Sequence, residues 1–432
     1  MHPNINKIRK RRTDEGTKTA AITISVLLIS IATSVLLHVT HPLRSTSIEI
    51  VPYVETYFSE HQSELFEYSN IDDTDHELDD IYEHTYHEHD DYLETHELEY
   101  NDYGDYSNEH EHEHEHEHYD YEPESSPNIT TITLSAAGDT TLGGDSRWAG
   151  YHAFMREFNN SGGNHSHFLR NVAPIFYESD ISIVNLEGTL TYATYHIDKE
   201  FVFRGPPHFA QILSSSYVNA VTISNNHTID FHQQGYIDTI SALRTENIAY
   251  FGNEFKTIIE VNGIHVGLFG YRIWENSTTN RNLIRRAIAD LQDRGAQLII
   301  AYFHWGVERA NHPEQYQIDI GRYTIRNGAD LVLGAHSHVI QGIEEYMGRF
   351  IVYSLANFCF GGNANPPDQD SFIFQQTFSF YDGILLPYSD KNLIPIFVSS
   401  VRYRNDFQPT IAEGQDAERI LERIESYSEW LR

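Results

Sequence analysis

The 432-residue sequence contains very little cysteine, since Cys359 is its single thiol. An intramolecular disulfide is therefore excluded, and so is a zinc site built from cysteine pairs. Any metal ion that this chain binds must be held by His, Asp, Glu or Asn side chains.

Basic residues are missing from one long segment, residues 45–127, which contains 28 Asp and Glu residues and no Lys or Arg. These acids account for 28 of the 34 net negative charges of the chain. The acidity is therefore a property of one segment rather than of the whole protein. Outside the first 19 residues, the rest of the sequence has no basic cluster typical of a nucleic-acid-binding surface, so we expect no nucleic-acid partner.

Residues 20–39 form an apolar stretch without a formal charge, AAITISVLLISIATSVLLHV. At 1.5 Å per residue, about 20 residues match a hydrocarbon core of roughly 30 Å, so this stretch predicts a transmembrane helix. The basic segment 1–19 precedes it and acidic residues follow it, which predicts a cytoplasmic N-terminus and an extracytoplasmic C-terminal domain at the cell membrane. The alternative is a cleaved signal peptide, although the apolar region of such a peptide is usually shorter.

Residues 45–127 also contain five consecutive Glu-His pairs, from Glu109 to His118. Such a polar and self-repelling sequence cannot bury enough apolar surface to fold, so we predict a disordered, acidic, His-rich stalk. The 11 His residues of the segment leave two interpretations open. The stalk is either a solvated spacer or a segment that captures Zn, Ni or Cu through its imidazoles.

From residue 128 onward, short β-rich runs alternate with amphipathic stretches, which indicates an α/β domain over residues 128–405 and a closing helix within residues 406–432. The predicted strands are residues 129–137, 180–186, 218–224, 264–269, 297–303, 330–333 and 349–354. The predicted helices are residues 168–178, 233–246, 282–294, 313–327 and 415–432.

Several polar residues stand where the predicted strands end, which is where an α/β sheet usually presents its ligand site. In chain order they are Asp139, Asn185, Glu187, Asn226, His227, His304, His336 and His338. Oxygen and imidazole ligands from successive loops suit Zn, Mn or Fe, and a bridging carboxylate could hold two ions about 3.5 to 4 Å apart. We therefore expect one or two divalent metal ions at this place.

The motifs around these residues resemble those of a known family. They are Gly138-Asp139, Asn185-Leu186-Glu187, Asn225-Asn226-His227, the sequence HWGVE at 304–308, GADLVLGAHSHV at 328–339 and YSLANF at 353–358. Over about residues 128–404 the chain is similar to the capsule-synthesis CapA family, a branch of the calcineurin-like metallophosphoesterase superfamily. This resemblance implies a metallophosphatase-like β-sandwich flanked by helices.

The resemblance also implies a two-metal site in which Glu187 bridges the ions. The implied ligands are Asp139, Glu187 and His338 for the first ion, and Glu187, Asn226, His304 and His336 for the second. Superfamily enzymes usually have His where Thr141 stands and Asp where Glu187 stands. Because a Thr hydroxyl is a poor ligand for Zn, the first position could bind weakly, prefer a harder ion or stay empty.

Three further residues receive a role at this site. His227 matches the superfamily histidine that protonates a leaving group or steadies a phosphoryl oxygen, a catalytic role that suits an imidazole. Arg204 and Arg309 are candidate substrate-binding clamps, because a guanidinium group can hold carboxylate or phosphate with two hydrogen bonds. Surface arginines in loops are the alternative interpretation.

Two functions agree with these features. The resemblance implies a role in the synthesis or export of an anionic capsule polymer such as poly-γ-glutamate, together with membrane-embedded polymer synthase subunits. The second hypothesis is an extracytoplasmic metal-dependent hydrolase, phosphoesterase-like, that acts on a cell-envelope substrate. The ligand set suits both hypotheses, because a fold and its ligands do not fix the reaction.

Overall fold

The structure is a computed structural model that describes residues 129–432 of the chain. The predicted cytoplasmic segment 1–19, the predicted transmembrane helix 20–39 and the predicted stalk 45–127 lie outside the described residues. Within residues 129–432, none of the helices has the length and the apolar character that crossing a membrane requires.

The described residues form strands connected by helices and turns. The strands are β1 (Ile129–Thr141), β2 (Ile181–Leu186), β3 (Thr189–Leu190), β4 (Arg204–Gly205), β5 (Ala220–Thr222), β6 (Ala249–Phe251), β7 (Thr257–Val261), β8 (Ile264–Ile273), β9 (Leu298–Trp305), β10 (Leu331–Ala335), β11 (Ile343–Tyr346), β12 (Arg349–Val352), β13 (Asn357–Phe360), β14 (Asp370–Tyr381), β15 (Ile384–Phe397) and β16 (Thr410–Ile411). The α-helices are α1 (Ala149–Asn160), α2 (Ala173–Glu178), α3 (Ala210–Ser214), α4 (His232–Thr245), α5 (Thr278–Asp293), α6 (Gln315–Arg326) and α7 (Gly414–Glu429).

Two large sheets form the centre of the domain. The first has the strand order β16-β15-β14-β1-β2-β5-β6, and β13 pairs with the C-terminal end of β1. The second has the order β11-β12-β10-β9-β8-β7. The pairs β1–β2, β2–β5, β8–β9 and β9–β10 are parallel, so the carboxyl ends of neighbouring strands lie together at one end of each sheet.

The two sheets face each other across a buried layer. Tyr302 in β9 is fully buried, and its hydroxyl donates a hydrogen bond of 3.0 Å to the carbonyl oxygen of Ala137 in β1. Phe350 in β12 and Phe374 in β14 bring their ring centroids to 6.1 Å. Strand β9 buries its whole length, as expected for a central strand that is covered on both faces.

Helices pack on each sheet through separate hydrophobic cores. One core joins Leu243 of α4 to Val184 of β2, and the other joins Ile288 of α5 to Phe303 of β9. These contacts confirm the predicted mixed α/β fold.

Each strand and helix predicted from residue 129 onward overlaps an element of the same type, and the errors lie at the ends. The first predicted strand stops at residue 137, whereas β1 continues to Thr141 because β2 and β13 pair with its last residues. The predicted helix 168–178 is α-helical only from Ala173. The range 406–432 contains the short strand β16 before the closing helix α7.

The long hairpin of β14 and β15 is missing from the sequence-based prediction. Its turn residues Asp382 and Gly383 have φ values of 48° and 80°. Two successive left-handed residues are typical of a two-residue type I′ turn, and Asp-Gly is a preferred pair there. This dipeptide between two β-rich runs is the signal that could have identified the hairpin.

Candidate metal centre

The candidate metal centre lies where the carboxyl ends of β1, β2, β5, β9 and β10 meet. Asp139 and His304 belong to the last residues of β1 and β9, and Glu187 follows β2 directly. Asn226 and His227 follow β5. His336 and His338 follow β10, so the structure brings the predicted ligands together from both sheets.

A close backbone approach fixes the position of Asp139. Its backbone N–H donates a hydrogen bond of 2.9 Å to the carbonyl oxygen of Ala356. A Cβ atom on Gly138 would lie 1.9 Å from the same oxygen. Only glycine therefore fits in front of Asp139, which explains the Gly-Asp pair at the end of β1.

Two groups of ligand atoms coincide with the two implied ion positions. The first group is Asp139, Glu187 and His338, and the second is Glu187, His304 and His336. Within each group the ligand atoms lie within 4.8 Å of one another, and such groups could hold a metal ion. Glu187 belongs to both groups, as a bridging residue must. The Asn226 Oδ1 atom lies 2.9 Å from His304 Nε2, so the implied amide ligand borders the second group.

Glu187 is the residue whose surroundings point most directly to a cation. Its side chain is fully buried, and neither carboxylate oxygen has a hydrogen-bond partner among residues 129–432. Ring nitrogens of His227, His304 and His338 each lie 3.9 Å from Oε1, too far for hydrogen bonds. Burying a carboxylate without a partner is costly, and a divalent ion bound by imidazole nitrogens would satisfy both oxygens. The residues therefore fit a divalent metal ion.

Burial and nearby charge shift the pKa values of the candidate ligands. Burial raises the pKa of Glu187 well above its usual range, and the Asp139 carboxylate raises it further. Burial lowers the pKa of His304 well below its ordinary value and that of His336 to about 3. Both rings are therefore neutral near pH 7, which is the form that binds metal. Burial alone would lower the pKa of His338, but Glu187 and Asp139 raise it to about 10, so this ring must lose a proton before it binds an ion.

Hydrogen bonds orient the imidazole rings. His338 Nδ1 lies 2.9 Å from Asp139 Oδ2 and 3.0 Å from Asn357 Oδ1. His304 Nδ1 lies 3.2 Å from Asn185 Nδ2. An oxygen that accepts from Nδ1–H leaves Nε2 free for a metal ion, so Asn357 positions His338 as a ligand. The amide N–H of Asn185 points at His304 Nδ1 and holds that ring in place. Asn357 is not among the predicted site residues, although it stands in the YSLANF motif.

His227 lies beside these groups and has a partner of its own. Its Nδ1 atom is 2.6 Å from Asp230 Oδ2, and its ring stacks on Phe203 at a centroid distance of 4.0 Å. Burial lowers the pKa of His227, although the Asp230 carboxylate acts in the opposite direction. With Nδ1 held by Asp230, Nε2 is the atom that can exchange a proton near Glu187. Asp230 is a further residue that the sequence analysis missed.

Thr141 supports the centre in a different way from the histidine of the superfamily. Its buried hydroxyl donates a hydrogen bond of 2.8 Å to the backbone carbonyl oxygen of Glu187. This hydrogen bond therefore positions the backbone of Glu187.

The two candidate clamps differ in their surroundings. The Arg204 guanidinium donates to the carbonyl oxygen of Ala193 and lies 5.2 Å above the Phe231 ring, so it holds the chain before β4. Arg309 is exposed, and its backbone N–H donates a hydrogen bond of 2.7 Å to the carbonyl oxygen of Ser337. A clamp function for either guanidinium stays a prediction.

The sequence is similar to two bacterial proteins that are named CapA. It is 28% identical over 210 residues to the "PGA biosynthesis protein CapA" of Bacillus subtilis (strain 168), and the match covers 44% of this chain and 55% of that protein. It is 24% identical over 255 residues to the "Capsule biosynthesis protein CapA" of Bacillus anthracis, and this match covers 53% of the chain and 60% of that protein. The chain thus spans a little more than half the length of the relatives it matches.

A family model also matches the part of the chain that contains the candidate centre. The match covers residues 133–362, which is more than half of the chain and includes each predicted ligand as well as His227, Arg204 and Arg309. The chain therefore belongs to the family of the bacterial capsule synthesis protein PGA_cap.

Proposed function

We propose that the protein acts in the synthesis or export of an anionic capsule polymer such as poly-γ-glutamate. Its family and the names of its relatives support this role. In this proposal residues 20–39 anchor the chain in the cell membrane, and the domain at residues 128–405 works on the extracytoplasmic side. The uncharged apolar stretch behind a basic segment supports that arrangement. Membrane-embedded polymer synthase subunits are the proposed partners.

The buried Glu187 carboxylate is the observation that carries the proposed chemistry. Neither of its oxygens has a hydrogen-bond partner within the described residues, and three imidazoles surround it. We infer a metallophosphatase-like centre for one or two divalent ions, with Mn, Zn and Fe as candidates. When bound, such an ion supplies a Lewis acid that attracts carboxylate or phosphoryl oxygens.

The side chains of the centre divide into three tasks in this proposal. Asp139, Glu187, Asn226, His304, His336 and His338 bind the ions. Asn185, Asn357 and Thr141 hold those ligands in place through the hydrogen bonds described above. The pair of His227 and Asp230 holds a proton beside the centre.

That last pair favours a second candidate function, a metal-dependent hydrolase for a phosphoester-like cell-envelope substrate. A buried imidazole that is oriented by a carboxylate through Nδ1 can protonate a leaving group through Nε2. Binding of an anionic polymer through metal requires no such proton donor. His227 therefore discriminates between the two functions.

The test uses His227→Ala in the full chain, with His265→Ala as the control because His265 is an exposed histidine of β8. Surface polymer is measured in cells that carry each variant, and metal content and phosphoester hydrolysis are measured on the purified proteins. For a component of polymer assembly, we expect His227→Ala to retain both metal and polymer output. The double variant His304→Ala/His336→Ala should lose polymer output and the ions of the centre, whereas ions captured by the His residues of the segment 45–127 should remain.

The opposite outcome has an equally clear signature. If folded and metal-loaded His227→Ala loses polymer as completely as the double variant does, the pure assembly function is wrong. A hydrolase should then show turnover that falls by roughly 10²- to 10⁴-fold in His227→Ala, the usual contribution of a general acid. If metal content is unchanged in His304→Ala/His336→Ala, the metal centre itself is misassigned.

A further inference from the structure

A third group of potential ligand atoms lies on the exposed side of the centre. A carboxylate oxygen of Glu308 and ring nitrogens of His336 and His338 lie within 4.8 Å of one another. Glu308 is exposed, whereas His336 is buried and His338 is half-buried. Each of these histidines belongs to a different implied ion position. Glu308 therefore neighbours both positions from the solvent side.

The backbone holds Glu308 at this place. The N–H of Arg309 donates a hydrogen bond of 2.7 Å to the carbonyl oxygen of Ser337, the residue between the two histidines. The carbonyl oxygen of Ala310 accepts a hydrogen bond of 2.8 Å from the side chain of Gln341. Two bonds on the residues that follow Glu308 thus join its segment to the loop after β10. The backbone that carries the Glu308 carboxylate is thereby held beside the two rings.

Charge favours a further carboxylate here. Two divalent ions would bring more positive charge than the buried carboxylates of Asp139 and Glu187 offset. An additional acidic group near the ions is therefore attracted to them. Because this group is exposed, its desolvation costs less than that of a buried carboxylate. Most exposed glutamates are solvated surface charges, but the segment of Glu308 is tied to the loop that carries two candidate ligands.

We propose that Glu308 is a further ligand residue of the metal centre, whose carboxylate binds an ion held by His336 or His338 from the solvent side. This inference rests on the proposed function, because it requires the centre to bind a divalent ion. The exposed position makes Glu308 the ligand that an incoming anionic group would replace. An incoming polymer carboxylate or phosphate group offers oxygen ligands, as Glu308 does. Such a group can therefore bind to the same ion in place of Glu308.

The test is a titration of the full chain with Mn²⁺. Binding is monitored through the quenching of tryptophan fluorescence. The ring centroid of Trp274 lies 4.7 Å from that of His336, so a paramagnetic ion at the centre should quench this indole. Trp274→Phe identifies its share of the signal and separates it from ions bound elsewhere on the chain. We expect Glu308→Gln to raise the apparent dissociation constant for Mn²⁺ by about 10-fold or more.

Two further variants separate a ligand from a nearby charge. Glu308→Asp keeps the charge but shortens the side chain, so it should bind Mn²⁺ nearly as weakly as Glu308→Gln. Glu345→Gln removes a charge from an exposed residue of β11 and should leave the affinity unchanged. Wild-type affinity in either Glu308→Gln or Glu308→Asp would overturn the proposal. Absence of saturable Trp274 quenching in the wild type would instead overturn the metal centre of the proposed function.

Discussion

Glu187→Gln should make the metal-free protein more stable and remove the stabilisation that a divalent ion provides. In the metal-free protein, burial raises the pKa of Glu187, with a further contribution from Asp139, which means that the folded state disfavours the charged form. Gln keeps the shape of the side chain and carries no charge. The substitution therefore removes a cost of the metal-free state.

The size of the effect follows from the contacts of the carboxylate. A buried Gln amide without a partner still costs about 1 to 3 kcal/mol, but an ionised carboxylate costs more, so the gain is only the difference between the two. Part of that gain is offset, because His338 Nε2 lies 3.9 Å from Glu187 Oε1 and loses an attractive charge. We therefore expect the lower end of the range, about 1 kcal/mol, in the free energy of unfolding.

The assay is denaturant-induced unfolding at pH 7 in the presence of a chelator, repeated with free Mn²⁺ at a fixed multiple of its dissociation constant. At a hundredfold excess over that constant, binding to the native state adds about 2.7 kcal/mol to the wild type. Glu187→Gln should gain little under the same conditions. Glu260→Gln, at an exposed position of β7, is the control for loss of an acidic residue.

Two results would refute this reasoning. One is a metal-free Glu187→Gln protein that is less stable than the wild type by about 1 kcal/mol or more, which is on the order of the free-energy cost of one unpaired buried polar group. The other is a variant that gains as much from Mn²⁺ as the wild type does. The first result would mean that the carboxylate is well stabilised without metal, and the second would mean that the ion binds elsewhere.

Gly138→Ala should lower the free energy of unfolding by about 3 kcal/mol or more, since the added Cβ would lie 1.9 Å from a backbone carbonyl oxygen. Thermal unfolding followed by circular dichroism measures this change, and a wild-type melting temperature in the variant would contradict the prediction. Asp230→Asn should preserve metal content but lower any hydrolytic turnover, because His227 loses the carboxylate that orients its Nδ1. Equal turnover in the variant and the wild type would show that Asp230 has no role in the chemistry of His227. For Asp370, burial alone would raise the pKa, but hydrogen bonds and charges of two arginines in α7 lower it. Its contribution to stability is therefore present above the unfolded pKa near 3.9 and is lost as the pH falls through the lower folded value, so the difference in unfolding free energy from Asp370→Asn should shrink below about pH 4.

The sequence predicted the candidate ligands that the structure brings together. Asp139, Glu187, His304 and His336 stand at or just after the ends of successive strands. Parallel strands in neighbouring positions present their carboxyl ends at the same end of a sheet, which predicts that such residues of one sheet lie near one another. That residues of both sheets meet at one centre was implied by the family resemblance. The metal-ligand character of Asp, Glu and His then indicates a cation site.

Only the tertiary structure shows which hydrogen bonds hold these side chains in place. Such bonds depend on the distances between segments that are remote in the chain and on the directions of the side chains. Asn357 reaches His338 because β13 pairs with the end of β1, and the sequence-based prediction contains no strand there. Asp230 is close to His227 in sequence, but only the turn after β5 shows that its carboxylate faces Nδ1. Periodicity and spacing carry no information on such side-chain directions.

The tertiary structure also determines which carboxylates of the centre are buried. Glu187 and Glu308 both stand in motifs after strands, and the residue pattern does not show which of the two is buried. Packing of the two sheets removes Glu187 from water without a hydrogen-bond partner among the described residues, while the loop after β9 leaves Glu308 exposed. In our proposal the same carboxylate chemistry serves as an inner bridging ligand at one position and as an exchangeable outer ligand at the other, because the surrounding chain controls access to solvent.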